Sequence, residues 1–129
     1  MSASNLVITG LDEFLGGPSE GSGIGTAISK DGTTLAIGAP YYSDPEAETD
    51  GEGSYSPPGG NVRIFRKQDG QWVLQEEIVG DDGEFVGGSV SLSDDGNTVA
   101  IASYDGIIKI YGWNDGVNDS TGSWDLEEE

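Results

Sequence analysis

The chain contains a sequence block that occurs twice, and this internal repeat constrains the fold more strongly than any single residue. Residues 29–38 read Ser-Lys-Asp-Gly-Thr-Thr-Leu-Ala-Ile-Gly, and residues 93–102 read Ser-Asp-Asp-Gly-Asn-Thr-Val-Ala-Ile-Ala. Two further stretches match in the same order, namely 60–65 with 106–111 and 71–77 with 123–129. Three ordered matches within 129 residues indicate two tandem structural units.

Apolar residues in each unit alternate at a period of two, which is typical of β-strands. The pattern predicts four strands per unit, near 24–29, 33–39, 61–67 and 71–79, and near 86–92, 97–103, 106–112 and 123–129. The Asp-Gly pairs at 31–32 and 95–96 predict hairpin turns, because Asp bonds its own backbone and Gly supplies a positive φ.

Repeated four-stranded units that cannot bury both faces alone stack radially as blades of a β-propeller. The predicted fold class is therefore all-β, with two four-stranded antiparallel propeller blades per chain. We expect a single two-blade unit over 1–129, with one blade at about 21–80 and the other at about 85–129. Since propellers need at least about four blades, we expect other copies to complete the ring, or the sequence to be a fragment of a longer protein.

The two ends of the sequence are complementary. Ile8-Thr9-Gly10 corresponds to Ile78-Val79-Gly80, whereas the last strand of the second unit lacks this apolar end. We therefore expect residues 4–10 of a neighbouring copy to complete that strand, which predicts a homotrimer or homotetramer joined head to tail. The residues predicted to mediate this assembly are Leu6, Val7, Ile8, Trp124 and Leu126.

The charge is strongly acidic, with 24 Asp and Glu against five Lys and Arg and a net charge of −19. This sign opposes binding to nucleic acid. No apolar run approaches the ~20 residues of a membrane span, and the N-terminus lacks the pattern of a signal peptide. We therefore expect neither nucleic-acid binding nor membrane insertion, and the sequence leaves the compartment open.

The chain has no cysteine and no histidine. This excludes disulfides, thiolate metal sites and nucleophiles activated by histidine. Two carboxylates can hydrolyse glycosides, but with 24 acidic residues some pair is always available, so the pattern is not specific. The sequence predicts no enzymatic activity.

The segments 29–40, 60–65 and 70–74 resemble the FG-GAP repeats of integrin-α-like β-propellers, with Gly38-Ala39-Pro40 standing for the Gly-Ala-Pro element and 85–90 for the Phe-Gly element. The second unit departs at Ala102-Ser103-Tyr104 and is also similar to a WD repeat. Both resemblances imply a propeller, and the FG-GAP resemblance implies an extracellular or cell-surface parent protein.

The FG-GAP resemblance also implies calcium in the Asp-Gly loops, where the matching acids are Asp31, Asp94 and Asp95. An ordinary turn is the alternative for these loops, and no cofactor is expected to be required. A second candidate cation or partner surface is the acidic insertion, with Asp44, Glu46, Glu48, Asp50 and Glu52. A solvated loop is the alternative there.

Several aromatic residues are candidates for contact with a ligand or a partner. Trp72 and Trp124 hold the same repeat position, which predicts a structural role between blades, with a platform for a sugar as the alternative. Trp113 has no repeat equivalent and is a candidate partner contact in the last hairpin loop. Tyr41 and Tyr42 are candidates for ligand contact, with a role in covering the core edge as the alternative.

These observations predict a non-enzymatic propeller module that assembles into a ring of six or eight blades and serves as a scaffold or recognition surface. The alternative is a calcium- or glycan-binding fragment of a larger extracellular FG-GAP protein, with a protein or glycan as ligand.

Overall fold

A computed structural model describes residues 14–17, 19–43, 57–115 and 122–129. This part of the chain contains strands, turns and bends and no helix. The strands are β1 (Gly25–Ile28), β2 (Thr34–Ala39), β3 (Asn61–Gln68), β4 (Gln71–Val79), β5 (Ser89–Leu92), β6 (Thr98–Ala102), β7 (Ile108–Asn114) and β8 (Ser123–Glu128).

The strands form two four-stranded antiparallel sheets, in the orders β1-β2-β3-β4 and β5-β6-β7-β8. The prediction of an all-β chain with two such sheets is confirmed. The strand β5 begins at Ser89 rather than near 86, because the preceding link is irregular. Phe85 has a φ of 50° and Gly87 a φ of 101°, so neither is in an extended strand conformation.

The two sheets repeat each other in detail. Their third and fourth strands share a β-bulge, between Ile64 and Phe65 in the first sheet and between Ile110 and Tyr111 in the second. The two Asp-Gly turns also agree, since Gly32 and Gly96 have the same φ of 74°. The sequence repeat therefore encodes one backbone design that is used twice.

The hydrophobic core lies between the sheets. Its buried members are Ala36, Val62, Ile64, Val86, Val99, Ile101 and Trp124. Full burial of an aliphatic side chain of this size contributes about 1.5–3 kcal/mol, so the contact between the sheets stabilises the fold.

Glycines allow the backbones to approach closely at one end of this contact. A Cβ at Gly25 or at Gly38 would overlap the carbonyl oxygen of Gly87. Only residues without a side chain fit here, so the link before β5 packs directly against the backbone of β1 and β2.

Candidate functional site

The two sheets pack through different faces. The first sheet contributes Ala36, Val62 and Ile64 to the core, and we call this the front face. The second sheet contributes Val99 and Ile101, and we call this the back face. The contact is therefore heterologous, like that between successive units of a head-to-tail stack.

The strand pairing shows which faces point outward. Ala100 pairs with Ile110, and Ala102 with Ile108, on the outer side of the second sheet. By the repeat these residues are equivalent to front-face positions of the first sheet. The outward side of the second sheet is thus its own front face.

The outward side of the first sheet is correspondingly its back face. On this face Leu35 pairs with both Phe65 and Ile28. Leu35 is equivalent to Val99 of the second sheet, Phe65 to Tyr111, and Ile28 to Leu92. Phe14 covers part of this face, with its ring centroid 4.8 Å from that of Phe65 and 6.4 Å from that of Trp72. The end of the face around Ile28 is open to solvent.

Equivalent residues differ sharply in exposure between the covered and the outward faces. Val62 is fully buried, whereas its equivalent Ile108 is 55 % exposed. Val86 is 3 % exposed, whereas its equivalent Leu15 is 81 % exposed. The outward faces therefore present apolar side chains at positions that the inner contact buries.

In the first Asp-Gly turn, the Asp31 carboxylate accepts hydrogen bonds from other residues of the same turn. Oδ1 of Asp31 accepts from Ser29 Oγ at 2.6 Å, from Thr33 Oγ1 at 2.7 Å and from the Thr33 amide at 3.0 Å. These bonds favour the carboxylate and hold the pKa of Asp31 below its ordinary value, with the Ser29 hydroxyl as the largest cause.

The second turn uses the same arrangement. Oδ1 of Asp95 accepts from Ser93 Oγ at 2.7 Å and from the Asn97 amide at 2.9 Å. The Asn97 amide is the main reason that the pKa of Asp95 is lowered. The amide of Asp31 donates to the Asp94 carbonyl at 3.2 Å, so the two turns abut.

Calcium at Asp31, Asp94 and Asp95 stays a prediction. Within the described residues no three acidic side chains converge in a way that could hold a metal ion. The acidic insertion at 44–52 and the assembly residues Leu6, Val7 and Ile8 lie outside the described residues.

The tryptophans lie at the same end of the molecule as these turns. Trp113 is half-buried within β7, where it pairs with Trp124, rather than in the hairpin loop. The Arg66 guanidinium lies over the Trp113 ring at 4.8 Å and donates to Asn97 Oδ1 at 3.1 Å. Trp124 is buried in the core, and Leu126 is partly exposed on the edge strand β8.

An apolar pocket of about 530 Å³ opens at the opposite end of the sheets. Its aromatic walls are Tyr41, Phe85 and Tyr104, and we call it the aromatic pocket. The links between strands meet here, because the Tyr41 amide donates to the Glu20 carbonyl and the Tyr104 amide to the Glu84 carbonyl, at 2.9 and 2.8 Å.

The sequence pointed to Tyr41 alone among these three walls. Tyr42 does not line the pocket, and its carbonyl accepts a hydrogen bond from the Gly60 amide at 2.9 Å. Tyr104 could have been found from the repeat, because it follows β6 much as Tyr41 follows β2. Phe85 reaches the pocket through its unusual backbone conformation, with φ at 50°, which no sequence pattern indicates.

Comparisons with protein-family models, with curated proteins and with solved structures find no match to this chain. Among the described residues there is no helix of the length and apolarity needed to cross a membrane.

Proposed function

We propose that this protein is a non-enzymatic β-propeller module, related in design to FG-GAP and WD blades. Copies assemble front face to back face into a closed ring that serves as a scaffold or recognition surface. The observation that supports this most strongly is the heterologous contact between the two sheets. The front face of the second sheet and the back face of the first sheet both point outward. The same front-to-back contact can therefore form again between chains.

The exposed side chains supply a driving force for assembly. Ile108 on the outward front face and Ile28 on the outward back face are 55 % and 60 % exposed, respectively. Both residues stand at positions whose equivalents face the contact between the sheets, so their burial would favour a repeat of that contact. A second copy is the occupant that fits, because each outward face matches the partner that already covers its equivalent within the chain.

Ring closure follows from the blade geometry. A heterologous contact generates a ring if the rotation between units closes, and propellers close with about four to eight blades. With two sheets per chain, three copies give six blades and four copies give eight. Such a ring would also cover the unpaired outward faces, which otherwise promote aggregation.

Native mass spectrometry combined with sedimentation velocity tests this proposal. We expect a species of three or four times the 13.4 kDa of one chain at micromolar concentration. A stable monomer at the same concentration would overturn the proposal. A dimer that does not grow would also contradict it, because two chains supply four blades rather than the six or eight proposed.

A further inference from the structure

The aromatic pocket has the features of a site for a cation. The ring of Phe85 lies between the other two, with its centroid 6.2 Å from that of Tyr41 and 5.8 Å from that of Tyr104. The interplanar angles with Phe85 are 80° and 59°, so each tyrosine ring packs steeply against Phe85, and all three rings line the same pocket. Tyr41 and Tyr104 are 53 % and 85 % exposed, so their rings are accessible from solvent.

Elsewhere the chain places its own cations over its aromatic rings. Arg63 lies 5.6 Å from the ring centroid of Phe65, Arg66 4.8 Å from that of Trp113, and Lys67 5.4 Å from that of Trp72. Such contacts are favourable because the ring face carries negative electrostatic potential.

The aromatic pocket has no such internal partner. Of the five basic residues, three are those over other rings, and Lys109 pairs with Glu84 at 3.4 Å. The fifth, Lys30, lies in the Asp-Gly turn at the far end of the sheets. Within the described residues, no basic side chain of this chain therefore lies over the three rings.

The net charge selects the sign of the ligand. At −19 the chain attracts cations and repels phosphates and carboxylates. An anionic or nucleotide ligand in this pocket is therefore disfavoured, whatever its shape.

The lining of the pocket selects the type of cation. Its other residues include Ile24 and Pro40, and its side-chain oxygens are the hydroxyls of Ser89, Ser103 and the two tyrosines. A primary ammonium carries three N–H donors and would lose much of its hydration against this mainly apolar lining. A quaternary ammonium has no N–H donors and buries apolar methyl groups against the rings.

We propose that the aromatic pocket binds quaternary ammonium groups. The site lies within one chain, so it does not depend on the assembly proposed above. The contacts that carry binding are the ring faces of Tyr41, Phe85 and Tyr104.

Saturation-transfer NMR with choline as the probe tests the site. The matched comparison is the uncharged analogue in which carbon replaces the choline nitrogen, because it has the same shape. At about 0.15 M salt, where long-range charge effects are screened, we expect choline to bind at least about tenfold more tightly than the analogue. Equal binding of the two would overturn the proposal and leave only an apolar pocket.

Two variants locate the binding. Tyr104→Ala removes an exposed ring and is expected to weaken choline binding at least about fivefold. Tyr104→Phe keeps the ring and is expected to bind choline as the parent chain does. Choline binding that is unchanged in Tyr104→Ala would show general attraction to an acidic surface and would overturn the proposal. Far-ultraviolet circular dichroism of both variants, matching that of the parent chain, is the folding control.

Discussion

Replacing Ile108 by glutamate places a charge at the centre of the proposed contact between chains. Ile108 is 55 % exposed in one chain, while its equivalent Val62 is fully buried between the sheets. If assembly buries Ile108 as the inner contact buries Val62, the remaining exposed part contributes about half of the value for a whole isoleucine. That is about 0.8–1.5 kcal/mol per contact, or about four- to twelvefold in affinity.

Glutamate removes this contribution and adds the cost of bringing a carboxylate into an apolar contact. We therefore expect Ile108→Glu to weaken assembly by more than about tenfold per contact and to leave the chain folded. Sedimentation velocity over a concentration series measures this, and circular dichroism checks the fold.

Ile107→Glu is the matched control. Ile107 is 41 % exposed and lies in the turn before β7, outside the strand whose outward face carries Ile108. It receives the same change in side chain and charge, so general repulsion between acidic chains affects both variants alike. Equal loss of assembly in the two variants, or full assembly of Ile108→Glu, would refute the reasoning.

Three other predictions follow from particular contacts. A mixture of Ile28→Glu chains, impaired on the back face, with Ile108→Glu chains, impaired on the front face, is expected to give dimers in sedimentation, while each alone stays monomeric. Gly38→Ala is expected to lower the free energy of unfolding by at least about 1–3 kcal/mol in urea titration, because its Cβ would overlap the Gly87 carbonyl. Gly88→Ala, whose Cβ would meet nothing within 4 Å, is the control and should change it by less than about 0.5 kcal/mol. Ser29→Ala is expected to raise the pKa of Asp31 in carboxyl NMR titrations, because the Ser29 hydroxyl is the main cause of the lowered value. Since folding lowers the pKa of Asp31, its contribution to stability is present above the ordinary value of 3.8 and is lost as pH falls through the folded-state pKa.

The sheets were predictable because their signals are local. Alternation within β2 and β3, and Asp-Gly pairs at the hairpin turns, specify antiparallel pairing without reference to distant residues. The boundary at β5 was less predictable. The irregular link at 85–88 adopts its backbone conformation against Gly38 and Asn61, which are far away in the sequence.

The candidate sites depend on how the sheets pack, and this explains what the sequence did not reveal. Tyr41 and Tyr104 belong to different units and meet at one pocket only because the sheets stack with their links at one end. Trp113 is held in β7 by Trp124 and by Arg66 from the other sheet. The distinction between front and back faces likewise needs the register of both sheets.

Counting blades in electron-microscopy class averages viewed down the ring axis tests the central claim most directly. The front-to-back assembly predicts closed rings with six or eight equal blades and threefold or fourfold symmetry. Particles with only two blades, or open chains that never close, would contradict it.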